Sequence, residues 1–93
     1  MLTLDIHHDP VARRFHTLVE GCEAEVTYHY DGETVLVINH TGVPRPIGSR
    51  GIASELIRAV FEFARGANLK VRPACSYAAA WVLRHTQYAD IVV

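Results

Sequence analysis

At 93 residues the chain has room for one compact domain, spanning 1–93, and not for two. Its 49% apolar and 20% charged residues exclude a disordered polar chain, and a net charge of -1 excludes the broad cationic field that draws proteins to nucleic acid or a membrane surface. No apolar run approaches the roughly 20 residues of a membrane span. The N-terminal MLTLDIHHDP lacks the basic segment and apolar core of a secretory signal, so a cytoplasmic protein is expected.

The first predicted strand lies in VARRFHTLVEG, with Phe15, Thr17 and Val19 on one face. A tight turn at Glu20-Gly21 leads into CEAEVTYHY, where Val26, Tyr28 and Tyr30 alternate with Thr27 and His29. Asp31-Gly32 signals a two-residue hairpin, because both central positions of such a turn favour positive φ. ETVLVINHT is the third strand, and its unbroken apolar run from Val35 to Ile38 marks it as central. The three strands form an antiparallel meander, which Pro44 and Pro46 end because proline has no ladder donor.

A helix follows in PIGSRGIASELIRAVFEFARG. Ile52, Leu56, Val60 and Phe63 recur at helical spacing, Ile57, Ala59 and Ala64 widen the stripe, and Gly66 is the stop. Glu55, Arg58, Glu62 and Arg65 decorate the solvated side, with Arg58 and Glu62 as an i,i+4 pair. A short strand covers Leu69 to about Pro73. A second helix reads through SYAAAWVLRH, with Ser76 as its N-cap and Arg84 and His85 suiting the negative end of its dipole. The tail TQYADIVV is too short to assign. The order β-β-β-α-β-α gives an α+β (α/β-like) class, a mixed sheet with helices packed on it.

Three places could carry chemistry. Gly48, Ser49 and Gly51 put three small residues in four positions at a helix entrance. Helix N-termini leave backbone N–H groups unpartnered and carry partial positive charge, so small residues there can admit a phosphate; the other reading is a loop that only redirects the chain. Neither Walker nor Rossmann spacing is present. Cys75 falls between a strand and a helix start, where the dipole could lower a thiol pKa, or it is a packing cysteine. His40 ends the central strand, a common place for a functional side chain, or it is a hydrogen-bonded structural histidine. Cys22 reads as packing, and His29 and His85 as a solvated strand face and a helix end. The six histidines are scattered and the two cysteines form no CxxC pair, so no metal site is expected.

INHTGVP, then GSRGIASELIRAVFEFAR, then LKVRPACSYAAAWVLRH with the YAD that follows, resembles the small single-domain N-acetyltransferases of the GNAT superfamily. The resemblance covers Val26 to Asp90. It implies a ligand for the small-residue loop, the pyrophosphate of acetyl-coenzyme A. In the family pattern Arg/Gln-x-x-Gly-x-Gly/Ala, Gly51 and Ala53 occupy the last two named positions. Gly48 stands where Arg or Gln is usual, and Ser49 where glycine is common. Arg50 matches an often basic position and implies a phosphate partner. The cofactor-binding residues so implied are Gly48, Ser49, Arg50, Gly51, Ile52 and Ala53, with Val71 and Pro73 beside the pantetheine arm, and Ser76. Cys75 matches the subgroup's active-site cysteine and His40 its strand-end histidine. Trp81, Thr86 and Gln87 depart from the subgroup's usual residues and imply divergence at the pocket rim.

The activity implied is acetyl-CoA-dependent transfer to an amine, either a protein lysine or N-terminus or a small amine, by a monomer or weak homodimer. His40 would act as base, backbone N–H groups of Val71–Pro73 would face the thioester oxygen, and Cys75 would accept the acetyl group or contact the leaving sulfur. The alternative is a non-catalytic CoA-binding sensor or interaction module. A thiol-redox protein built on Cys75 is a further reading. Nucleic-acid binding is not expected, because the basic residues do not cluster.

Overall fold

An unbroken apolar strand needs cover and a neighbour on each edge, and Val35–Ile38 has both. In the computed structural model, which describes residues 4–93, strands β1 (His7–Asp9), β2 (Arg14–Val19), β3 (Cys22–Asp31) and β4 (Val35–Gly42) pair antiparallel in chain order. Strand β5 (Lys70–Pro73) adds parallel to β4, giving one mixed five-stranded sheet in the order β1-β2-β3-β4-β5. Parallel neighbours require a crossover, here helix α1 (Ile52–Gly66); helix α2 (Ser76–Arg84) follows β5. Among the described residues no helix is long and apolar enough to cross a membrane.

Both helices lie against one face. Phe15, Ala24, Val26, Tyr28, Leu36, Ile38 and Val71 point inward to meet Ile52, Leu56, Ile57, Val60, Phe61 and Ala64 of α1 and Ala78 and Trp81 of α2. The opposite face carries Arg14, His16, Glu23, Glu25, Thr27 and His29, none of them buried. Val37 is the exception on that face at 4% exposure. Arg72 crosses β4 to reach Asp31 at 2.8 Å, and it shields Val37.

Several local expectations change. The meander has four strands, because β1, only three residues long, shows no usable periodicity. His8 holds it in place by stacking on Phe15 at 4.0 Å and hydrogen-bonding the Tyr28 hydroxyl at 2.6 Å. Asp31 still pairs with Val35, so the hairpin loop is three residues, Gly32–Thr34, rather than two. Glu20-Gly21 does form a two-residue turn, with φ of 50° and 78°. Arg58 pairs with Glu55 at 3.7 Å, not with Glu62, whose carboxylate accepts the Tyr88 hydroxyl at 2.5 Å. Phe61 is the fully buried aromatic of α1, while Phe63 sits at the core edge against His8. The tail forms a 3-10 turn, Thr86–Ile91, and bridges Val92 to Val71.

One irregularity positions the site. The β3–β4 register shifts between Tyr28, which faces Ile38, and Thr27, which faces His40, so Asn39 is an extra residue in β4. Side chains alternate strictly along a strand. Without the insertion His40 would share the helix face with Leu36 and Ile38. With it, His40 turns to the open face, and Thr41, opposite buried Val26, turns toward the helices.

Candidate active site

The segment leaving β4 builds a cleft. Pro44 and Pro46 frame a 3-10 turn, Arg45–Ile47, which the buried Ile47 anchors. The chain then reaches α1 through Gly48 in an extended conformation, Ser49 at φ 64° and Gly51 at φ 77°. Gly51 is the N-cap and no side chain caps the helix. The first intrahelical bond is Glu55 N–H to Gly51 C=O, so the N–H groups of Ile52, Ala53 and Ser54 have no intrahelical acceptor. Ile52 and Ala53 border a cleft of about 230 Å³ lined by Val43, Gly48, Ser49, Gly51, Ile52, Ala53 and Tyr77. Ile52 itself is buried, so it can offer only its backbone.

Tyr77 brings the second helix into the cleft. Trp81 explains its position. Its ring is fully buried, stacks on Phe61 at 5.5 Å, and its indole N–H donates to Ser54 Oγ at 2.8 Å. The first turn of α1 is thereby tied to the body of α2, and both helix N-termini border one space. Trp81 is therefore a core residue, not a rim residue as its departure from the family pattern implied. Thr86 and Gln87 are exposed beside the Arg65–Asp90 ion pair, with the Gln87 carbonyl accepting from Arg65 at 2.8 Å. Neither lines the cleft.

Cys75 occupies the N-cap of α2, and Ser76, expected there, is the first helical residue and exposed. The Cys75 thiol donates to Thr41 Oγ1 at 3.7 Å. Partial burial pushes its pKa up. The N–H of Ala78, the Thr41 side chain, and the backbones of Tyr77 and Thr41 pull the other way, and the net position is below the ordinary thiol value. Thr41 and Cys75 each stand two residues from cleft residues, Val43 and Tyr77. Neither Thr41 nor Cys75 lines the cleft itself.

β5 stops at Pro73, opposite Ile38, where Ala74 and Cys75 both donate to the Ile38 carbonyl at 3.1 Å. Beyond that point β4 has no β5 partner, and the two strands part at Asn39–Thr41. Val71 sits inside the paired region. Its backbone faces the C-terminal segment, with Val93 N–H donating to Val71 C=O at 3.0 Å, so it is poorly placed to donate to a ligand. The free strand edge is on β4. His40, exposed on the open face near Gly42, does not join Cys75. Arg50 turns away from the cleft toward Glu20. Tyr77 lines the cleft and Thr41 accepts from the Cys75 thiol, and neither was singled out from the sequence. The signal for Tyr77 was its place two residues after Cys75; the inward turn of Thr41 is readable only with the bulge at Asn39 known.

Residues 14–91 match the family of GCN5-related N-acetyl-transferases. The chain belongs to that family. Acetyl transfer is the general chemistry of the GCN5-related N-acetyltransferases, with acetyl-CoA as their usual cosubstrate. The chain is 33% identical to Protein NATD1 of Homo sapiens over 79 residues, 83% of this chain and 70% of that protein. It is 32% identical to Protein NATD1 of Gallus gallus over 81 residues, 85% and 74% of the two chains. The NMR structure of a GCN5-like protein from Staphylococcus aureus superposes with a TM-score of 0.78 at 30% identity, covering 100% of this chain and 91% of that one.

Two expectations follow from this geometry. Ser49 bears a side chain in left-handed backbone, a strain of about 1–2 kcal/mol that glycine lacks, offset in part by the extra entropy glycine gives the unfolded chain. Ser49→Gly should therefore stabilise the protein by about 0.5–1 kcal/mol in urea unfolding. Separately, alkylation of Cys75 in a Cys22→Ala background, followed against pH, should reach half-rate below the pH of an unperturbed thiol. Thr41→Val should move that point upward. A half-rate at or above the unperturbed value would remove the case for a stabilised thiolate.

Proposed function

We propose that the protein is an acetyl-CoA-dependent N-acetyltransferase that passes the acetyl group to an amine, with Cys75 on the reaction path. The observation that supports this is the uncapped α1 N-terminus opening on a cleft that Tyr77 of α2 also lines, with Cys75, held below the ordinary thiol pKa, as the N-cap of that same helix. Unpartnered helical N–H groups and the dipole suit a diphosphate. No side chain projects from Gly51, and an added Cβ there would meet nothing within 4 Å, so the space around that backbone is open to a ligand. At about 230 Å³ the cleft suits the diphosphate and the start of the pantetheine arm rather than an enclosed adenine. Gly48, Ser49, Gly51, Ile52 and Ala53 would hold the diphosphate through backbone N–H groups, and the unpaired β4 edge at Asn39–Thr41 would face the arm. Ser76 borders it at the start of α2.

The two helix-side and open-face groups take different tasks. The Cys75 thiolate attacks the thioester carbon from the helix face; a C–S bond to Cys75 forms, the C–S bond to coenzyme A breaks, and the departing sulfur takes a proton from water. An amine arriving from the open face through the gap where β4 and β5 part, at Asn39–Thr41, would then form a C–N bond to the acetyl carbon as the C–S bond to Cys75 breaks. His40, on that face, takes the amine's proton directly or through one water. The acceptor would reach this point over a sheet face without a helix, which suits an exposed lysine or protein N-terminus. A cytoplasmic, monomeric or weakly dimeric protein accords with this reading.

Calorimetric titration with acetyl-CoA and with CoA, followed by intact mass on the same sample, tests it. Micromolar binding and a one-acetyl mass gain are expected. Binding without mass gain or turnover on any amine would favour the sensor instead. No binding would mean that the loop has lost the family's ligand.

A further inference from the structure

Arg50 stands between two cleft-lining residues, Ser49 and Gly51, yet contributes nothing to the lining. Its guanidinium points out to the β2–β3 turn and meets Glu20 with both terminal nitrogens, Nη1 on Oε2 and Nη2 on Oε1 at 3.3 Å. The partners lie 30 residues apart. This contact therefore ties the loop to a different part of the sheet.

Left-handed backbone lies at one end of the tie and beside the other. Glu20 has φ 50° and Ser49 has φ 64°. A residue held in that region by nothing else relaxes out of it; strained backbone persists where its surroundings over-determine it. Gly51 is free of this problem and Ser49 is not. Proline and the buried Ile47 anchor the loop on the β4 side. α1 anchors it on the other. Between them, the Arg50 side chain is the contact that leaves the loop sideways.

We infer that the Glu20–Arg50 bridge holds the anion-binding loop in its binding shape and compensates for serine at position 49. Glu20 and Arg50 are positioning residues. They act through the backbone of Ser49–Gly51 and not on a phosphate. This rests on reading the loop as the diphosphate site of acetyl-CoA. It departs from the phosphate contact that the family resemblance implied for Arg50. Exposed ion pairs add little to global stability, so removing this one should loosen the loop and leave the fold intact.

The test compares wild type, E20Q, R50Q, S49G and E20Q/S49G. CoA affinity is measured by calorimetry. Backbone order parameters of Ser49, Arg50 and Gly51 are measured by 15N relaxation without ligand. Glutamine keeps the Glu20 side-chain length and the same turn backbone. E20Q and R50Q should each weaken CoA binding by about three- to five-fold, the scale of an exposed pair, and lower the order of residues 49–51 with little change in thermal midpoint. S49G should restore most of the loss in E20Q/S49G. Unchanged or tighter binding by E20Q overturns the inference; tighter binding by E20Q with weaker binding by R50Q would make Arg50 a phosphate ligand that Glu20 withholds. Equal losses in E20Q and E20Q/S49G overturn the link to Ser49. If wild type binds no CoA, the reading of the site fails, and the order parameters alone then decide: an unchanged loop in E20Q overturns the brace.

Discussion

Under the proposed function, Cys75→Ala should abolish acetyl transfer and leave CoA binding within about two-fold of wild type, because Cys75 does not line the cleft at the α1 N-terminus. Loss of an activated nucleophile removes the route and not merely a preference, so a fall of at least about a thousand-fold is expected if the acetyl group passes through sulfur. The geometry supports that route. The thiol has Thr41 and the first N–H groups of α2 around it, and these favour its ionised form despite partial burial. His40 cannot supply the activation, since the bulge at Asn39 puts it on the other face. Intact mass adds an independent readout: wild type incubated with acetyl-CoA gains one acetyl group, and the variant does not. Turnover by Cys75→Ala at the wild-type rate would falsify the sulfur route and leave direct transfer to the amine. The pH dependence carries a sign. A lowered thiol pKa means that the acetylation rate should reach its half-maximum at a lower pH than an ordinary thiol would.

The largest loss of stability should follow Trp81→Ala, at about 3–5 kcal/mol. Trp81 is the chain's one tryptophan, fully buried, and packed among Phe61, His85 and Tyr88, with ring centroids 5.5, 3.8 and 5.6 Å away. Truncation would leave a cavity at the α1–α2 contact and strip Ser54 of its indole donor. A small domain has only about 5–15 kcal/mol of total stability, so the variant should be largely unfolded at temperatures the wild type tolerates. Trp81→Phe separates the two contributions. It keeps most of the ring and loses the hydrogen bond, for which about 1 kcal/mol is expected. Urea unfolding followed by circular dichroism reads both. A loss below 1 kcal/mol for Trp81→Ala would mean that α2 does not depend on this ring, and that the two helix N-termini are held together by something else. Because Trp81 also sets where Tyr77 meets the cleft, the milder variant should weaken CoA binding somewhat more than its stability loss alone explains.

Much of this molecule is written in near-neighbour patterns. The apolar stripe Ile52–Leu56–Val60 and the alternation Val26–Tyr28–Tyr30 specify a helix and a strand through the 3.6 and 2.0 periods of the backbone. Small residues at a helix entrance are equally local, as is a cysteine between strand and helix. These settled the fold class and placed the loop and Cys75 where a site could form. Other features depend on partners far away in sequence. The extra residue Asn39 looks like any other strand residue, yet its register against β3 decides that His40 faces outward and Thr41 inward. Trp81 read as a rim substitution because its ring's neighbours, Ser54 and Phe61, lie some twenty or more residues earlier, on the other helix. Glu62 takes Tyr88 in place of its helical neighbour for the same reason. Arg50 meets Glu20 only because the β2–β3 turn and the loop after β4 lie at the same end of the sheet. Periodicity assigns a face to each side chain within its own element. Which face of one element meets which face of another is set by register and packing, and those are properties of the whole fold.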